Sequence, residues 1–234
     1  MTGPVAAALA DFRGSPAADG WGRLAFFAAG AAEAVAARVD ERIAAGAAVL
    51  PPPDHIFTSL RLTPLHRVKA VILGQDPYPT PGDSHGLAFS YRGPRRLPAS
   101  LRVIFDELAA DLGIPRPRSG DLTPWAEQGV LCINTALTVE AGQAGAHLKL
   151  GWQALADEVM AAVSAEQPAV AFLLWGGPAR RRADLVDRAK HLVLESGHPS
   201  PLNRLNDFRG TRPFSRANAW LAERGLEPID WRLP

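Results

Sequence analysis

Four short apolar runs limit what this chain can fold into more than any other feature: Val68–Leu73, Val130–Asn134, Val170–Trp175 and Leu192–Glu195, each bounded by turn residues. They are strand-sized and mostly apolar, the pattern of buried strands. Between them lie stretches with helical patterns, Leu101–Leu112, Trp152–Val163 and Pro178–Ala189, and a last one runs from Pro213 to Arg224. Ser100 stands where an N-cap would stand, Pro213 suits a first helical turn and Gly225 a stop. Upstream, Gly20–Arg42 reads as one alanine-rich helix with Phe26, Phe27 and Val35 on its apolar side, closed off by Pro51-Pro52-Pro53. Gly93–Pro98, rich in Pro, Gly and Arg, reads as a surface loop. Strands alternating with helices predict an α/β fold of three layers, α/β/α, around a central four-stranded parallel sheet. At 234 residues, with no repeats or low-complexity linkers, residues 1–234 read as one domain whose first fifty residues are helical.

A parallel sheet of this kind binds ligands outside the carboxyl ends of its strands. The residues just past each run are therefore informative. Gly74-Gln75-Asp76-Pro77-Tyr78 comes after the first, and the second ends at Asn134-Thr135. The third leads into Gly176-Gly177-Pro178, and the fourth into Ser196-Gly197-His198-Pro199-Ser200-Pro201-Leu202. The side chains able to do chemistry thus gather at one edge of the sheet. Taken singly, each has a plain alternative: an Asp before Pro suits an ordinary turn, an Asn closes a strand, and a His before Pro sits on a surface loop.

Composition excludes several classes. Hydrophobic residues make up 47% of the chain and charged ones 21%, which suits a packed core and not a disordered chain. Cys132 is the single cysteine, so an internal disulfide and any four-cysteine metal site are ruled out. The other histidines have no convincing metal-ligand spacing. No apolar stretch is long enough to span a bilayer. Asp11, Arg13 and Asp19 interrupt the alanine-rich start before a secretory core can form, which reads as a cytoplasmic beginning. The net charge of +1 says little, but Pro178–Arg216 carries nine basic residues against four acidic ones. Such a segment suits either a phosphate-backbone binder or a solvated arginine-rich face.

The segments at the sheet edge resemble family 1 uracil-DNA glycosylases. The matching stretches are GQDPYPTPGDSHGLAFS (Gly74–Ser90), GVLCINTALTV (Gly129–Val139), FLLWGG (Phe172–Gly177), GHPSPL (Gly197–Leu202) and PIDWRLP (Pro228–Pro234). The likeness runs from about Pro51 to the C-terminus and is less obvious before it. It implies a glycosylase-like fold, a monomer, no metal or other cofactor, and uracil-containing DNA, single- or double-stranded, as partner. A proteinaceous glycosylase inhibitor is a further implied partner. By the same resemblance Asp76 orients the attacking water and His198 contacts uracil O2. Gln75, Tyr78, Phe89 and Asn134 hold the base, with Tyr78 against its C5 edge, Phe89 stacked on it and Asn134 hydrogen-bonded to its polar edge. Pro98, Ser100 and Ser200 belong to loops near DNA phosphates, and Leu202 wedges into the DNA.

The chemistry fits these residue types. Breaking an N-glycosidic bond leaves positive charge on the sugar and negative charge on the departing base. A carboxylate offsets the first, and a neutral imidazole donor stabilises the second. A side-chain amide can pair with both uracil N3–H and O4, a pattern that cytosine reverses. Thymine differs by one methyl group, so its rejection has to be steric.

The chain departs from the family at Pro79, Glu140, Ala146, Gly177 and Asn203, where His, Arg, Ser, Ser and Ser are usual. Most of these positions grip or border the DNA backbone. The expectation is normal chemistry with an altered DNA grip, partly compensated by Arg180, Arg181 and Arg182. Two other function classes remain open on sequence alone. One is a superfamily glycosylase with altered base specificity, the other a binder of damaged DNA without catalysis. An α/β small-molecule hydrolase or nucleotide binder is disfavoured, because no phosphate-loop or GxSxG fingerprint occurs.

Overall fold

The computed structural model describes residues 3–234. Its centre is a four-stranded parallel sheet, and a short two-stranded ribbon lies beside it. In chain order the elements are α1 (Pro4–Gly14), α2 (Ala25–Ala28), α3 (Ala31–Ala44), β1 (Val49–Leu50), α4 (Thr58–Leu62), β2 (Ala70–Gly74), α5 (Ala99–Leu112), α6 (Thr123–Glu127), β3 (Val130–Asn134), β4 (Val139–Glu140), α7 (Trp152–Glu166), β5 (Ala171–Trp175), α8 (Gly177–Arg180), β6 (Leu192–Ser196) and α9 (Pro213–Glu223).

The sheet order is β3-β2-β5-β6, all parallel. Every residue of β2, β3 and β5 is buried, as expected of strands with helices on both faces. Alternation within each strand divides the core. Val71, Leu73, Leu131, Ile133, Phe172 and Leu174 face the side of α1, α3 and α7. Ala70, Ile72, Cys132, Leu173 and Trp175 face α5, α6 and α9. The three-layer architecture is therefore the one the apolar runs predict. The strand starts lie slightly later than the runs: Val68 ends a short 3-10 turn and Val170 precedes β5.

After β2 the chain moves outward to β3, then crosses back over β2 to β5 and continues to β6. The direction of winding thus reverses between β2 and β5. In open α/β sheets that reversal opens a crevice at the strands' carboxyl ends.

Three local expectations are corrected. The stretch Gly20–Arg42 is not one helix: Gly30, at φ +84°, separates α2 from α3, a left-handed turn that glycine adopts without steric cost. Pro178–Ala189 is one turn of α-helix followed by a 3-10 stretch, Arg181–Leu185. There the Asp187 N–H donates to the Ser164 hydroxyl at 2.9 Å, and the Ala189 N–H donates to the Asp187 carboxylate at 2.9 Å. These side-chain bonds give the backbone an alternative to a longer helix. Ser100 is not an N-cap; it lies inside α5, whose cap position is Pro98.

Helix ends are stitched by carboxylates from neighbouring helices. Asp40 of α3 accepts from the Val5 and Ala6 N–H groups at 2.8 and 3.0 Å, which completes the start of α1. Asp111 of α5 does the same for α9, accepting from Phe214 and Ser215 at 3.0 and 2.8 Å. The N-terminal helices are tied to the rest by aromatic packing: Phe12 stacks on Phe57 at 4.8 Å between ring centroids, and Phe26 lies 6.1 Å from Trp152.

Candidate active site

β2 and β3 end in register, with Gly74 beside Asn134. The Asn134 side chain lies across Gly74 so closely that a Cβ there would come within 2.1 Å of its Oδ1 and 2.9 Å of the Ala88 Cβ. Glycine at the strand end is what gives the Asn134 amide its place. Asn134 is 5% exposed, and its amide makes no hydrogen bond among the described residues. The amide opens onto the space beyond the strand ends, so its donors and acceptor are free to pair with a ligand.

The loop after β2 is pinned to β3. Thr135 donates its N–H to the Gly74 carbonyl at 3.0 Å, and its hydroxyl to the Gln75 carbonyl at 2.9 Å. Asp76 comes next. One carboxylate oxygen accepts the Gly145 N–H at 2.6 Å, and the other accepts the Gln75 amide at 3.2 Å. Gly145 belongs to the turn after β4, itself held by the Gly142 N–H donating to the Pro79 carbonyl at 2.7 Å. Asp76 is therefore fixed by a distant loop and is not a residue capping its own turn. Gly145 was not among the sequence-derived candidates; closely spaced glycines at 142 and 145 were the available signal.

Tyr78 and Phe89 form one wall. The Tyr78 hydroxyl donates to the Phe89 carbonyl at 3.0 Å, and burial foremost, with Asp83 and Tyr91 nearby, raises its pKa. Phe89 has φ +62°, a left-handed conformation that costs a bulky residue energy. That backbone turn aims its ring at the cavity, 5.7 Å from the Trp175 ring and 6.0 Å from the His198 ring.

His198 lies just past β6. Its Nε2 is 3.3 Å from the Ser100 hydroxyl. Burial lowers its pKa, and the Trp175 carbonyl opposes this only in part. The imidazole is accordingly neutral at pH 7.

These residues converge on a cavity of about 260 Å³ lined by Gln75, Asp76, Tyr78, Phe89, Asn134 and His198, with Ser100 and Ala144 at its edge. A second hollow of about 260 Å³ shares Gln75, Phe89 and His198 and reaches Trp175 and Gly177. Together they occupy the reversal point between β2 and β5. The remaining candidates stand outside as a rim. Pro98 caps α5, and the Ser200 hydroxyl accepts the Leu202 N–H at 3.1 Å. Leu202 is 89% exposed.

Residues 61–222 match the model of the uracil DNA glycosylase superfamily. The chain belongs to that family. Members named uracil-DNA glycosylase include one from Azotobacter vinelandii, 52% identical over 191 residues and spanning 82% of both chains. Another, from Rhizobium meliloti, is 52% identical over 189 residues, covering 81% of this chain and 78% of its own. Among solved structures, the mimivirus uracil-DNA glycosylase superposes with a TM-score of 0.79 at 26% identity, covering 85% of this chain and 80% of that one. The family hydrolyses N-glycosyl bonds, and this glycosylase is placed among such hydrolases. No helix of the described residues is long and apolar enough to cross a membrane.

The family-atypical positions of this glycosylase now divide. Pro79 lines the cavity. Glu140 is buried in β4 and bonded to Arg42 of α3 at 2.7 Å and to Gln143 at 2.9 Å, so it braces the ribbon. Asn203 donates to the His198 carbonyl at 3.1 Å and to Asp207 at 2.7 Å, bracing the Leu202 loop from within. Ala146 is exposed beside Gly145. Of the three arginines expected to compensate, two have acidic neighbours. Arg182 pairs with Asp157 at 2.5 Å, and Arg180 lies 3.7 Å from Glu195. Arg181 forms no ion pair among the described residues, and its Nη1 lies 3.6 Å from where a Gly177 Cβ would be. In the wider basic segment Arg188 pairs with Glu195, Arg209 with Asp106 and Arg212 with Asp111, whereas Arg204 and Arg216 form no ion pair among the described residues.

Proposed function

We propose that this glycosylase removes uracil from DNA by a metal-free hydrolysis in which Asp76 and His198 act from opposite sides of the cavity. The observation that carries the reading is their convergence, with the unpartnered Asn134 amide, on one enclosed hollow. The target nucleotide swings out of the DNA, and Leu202 fills the space it leaves. Phe89 stacks on the base, and the Asn134 amide pairs with N3–H and O4. Tyr78 blocks the position that the thymine methyl would need. Gln75 lines the same cavity beside Asp76.

As the bond between C1′ and N1 breaks, its electron pair moves onto the base and collects at O2. Neutral His198 donates a hydrogen bond there. Preorganised donors of this kind are worth roughly 10²–10³ in rate. Asp76, held by Gly145 and Gln75, offsets the positive charge growing on the sugar. It also orients the water whose oxygen bonds to C1′. Pro98, Ser100 and Ser200 approach phosphates flanking the flipped nucleotide. We read residues 1–234 as one domain acting as a monomer. Single-residue variants of the mimivirus enzyme have been crystallised in complex with UGI; we extend susceptibility to such a protein inhibitor to this chain.

The test is release of uracil from a labelled oligonucleotide in EDTA, scored by alkaline cleavage at abasic sites. Wild type should cut at uracil and not at thymine opposite guanine or at hypoxanthine. Asp76→Asn and His198→Ala should each lose at least about 10²-fold in kcat while still binding DNA. Binding without base release by wild type would overturn the reading in favour of a damage sensor. Release of the other bases would make it a glycosylase of different specificity.

A further inference from the structure

A second positive surface stands apart from the arginine-rich C-terminal segment, in which Arg181, Arg204 and Arg216 are exposed and form no ion pair among the described residues. It lies in a cleft of about 580 Å³ on the far side of the Tyr78 wall, lined by Arg92, Arg95, Arg96 and Arg118, with Tyr91 and Asp121. Arg92 is bonded to Asp121 at 2.8 Å and Arg95 to Asp83 at 3.1 Å. Arg96 and Arg118 are exposed and form no ion pair among the described residues.

The cleft is built, not merely charged. The Arg95 N–H donates to the Tyr91 hydroxyl at 3.0 Å, and the Tyr91 N–H donates to the Gly120 carbonyl at 2.9 Å. A Cβ on Gly93 would come within 2.2 Å of Asp83 Oδ1, and one on Gly120 within 2.9 Å of Leu97. Two glycines thus let the loop fold tightly enough to present its guanidinium groups. Tyr91 also meets Tyr78 edge to face at 6.1 Å, so cleft and base cavity share a wall. Arg96 stands four positions before Ser100, a backbone span of at most about 14 Å, so the two can reach neighbouring phosphates of one strand.

We propose that this cleft takes the phosphodiester backbone of substrate DNA flanking the flipped nucleotide, with Arg96 and Arg118 contacting phosphates. The proposal rests on DNA being the substrate. It makes excision dependent on substrate length and adds a grip beyond the C-terminal segment.

The test compares a trinucleotide carrying one uracil with a longer single-stranded oligonucleotide, for wild type and for Arg96→Gln/Arg118→Gln. Binding is followed by fluorescence anisotropy and excision by kcat/KM, both across a salt series. On the long substrate the double variant should lose roughly threefold to tenfold in kcat/KM at low salt, and its salt slope should flatten by about 1.4. The trinucleotide should be processed as by wild type, with kcat unchanged on both. Arg96→Lys/Arg118→Lys should restore the slope, and Arg67→Gln, at the opposite end of the sheet, should leave it intact. An unchanged slope, or an equal loss on both substrates, overturns the proposal. If wild type releases no uracil but the binding slope still separates it from the double variant, the cleft stands and the catalytic reading falls.

Discussion

Asp76 is held by a backbone N–H sixty-nine residues away in sequence, whereas Leu202, 89% exposed, hangs on bonds made within its own loop. The contrast extends to the surroundings of each. In the cavity, Gly74 makes room for Asn134, Tyr78 fixes the Phe89 carbonyl and Ser100 approaches His198. Along the rim, Ser200, Asn203 and Asp207 bond to one another and to the His198 carbonyl. Discrimination between bases that differ by one methyl group or one reversed hydrogen-bond pair needs side chains placed to a fraction of an ångström. A grip on a repeating, flexible backbone does not. Of the family-atypical residues, Asn203 lies in the Leu202 loop, whereas Pro79 lines the cavity and Gly177 the adjoining hollow; Asp76, Asn134 and His198 are family-typical.

If this division holds, the smallest change inside the cavity should outweigh larger ones outside it. Gly74→Ala adds one methyl group against Asn134 and Ala88 and should cost about 10²-fold or more in kcat/KM, since misplacement by about 1 Å suffices for that. Steady-state kinetics on a uracil oligonucleotide would show it; a loss below tenfold would mean that the Asn134 amide is not so rigidly placed.

The scaffold behind the cavity can be probed through His85, 2% exposed and 2.6 Å from the Ser90 hydroxyl. Burial first, then Arg92, lowers its pKa from 6.5 to about 4. Above pH 6.5 it is neutral folded and unfolded. As pH falls from there to about 4, the unfolded chain takes up a proton that the folded one refuses, so stability declines across that window and levels off below it. The difference is on the order of 3 kcal/mol. Denaturant midpoints measured against pH should lose much of that slope in His85→Gln; an unaltered slope would place the acid sensitivity elsewhere.

On the rim, Leu202→Ala should lower kcat/KM on duplex substrate by about tenfold and on single strands much less, because the wedge acts against stacking. Equal losses on both would argue that the loop serves the cavity itself. The smallest effect belongs to Glu140→Gln. Excision and its salt dependence should not change, and the thermal midpoint should drop by about 2 °C as the bond to Arg42 weakens. A changed salt slope would return Glu140 to the DNA-bordering positions.

Much of this was legible in the order of residues. Apolar runs of strand length specify buried parallel strands, and a parallel sheet places its ligands at the strand ends. Asp76, Asn134 and His198 emerge from that rule together with the resemblance their motifs carry. Helix boundaries were less legible where side chains competed with the backbone, as at Asp187 and Ser164, or where Gly30 turned left-handed. The positive charge of Pro178–Arg216 was legible, but which of its arginines are paired was not. Its partners Asp106, Asp111 and Asp157 lie on helices elsewhere in the chain, and only folding brings them within 2.5 to 3.3 Å.

The sequence by itself determined the alternation of strands and helices, the sheet edge where chemistry gathers and the residue types gathered there, because these depend on local periodicity and composition. Tertiary structure alone decided that Gly145 holds Asp76, that Glu140 faces Arg42, and that Arg96 and Arg118 remain without acidic partners among the described residues. Each of those outcomes is a meeting of residues far apart in the chain, and proximity of that kind leaves no periodic trace in the order of amino acids.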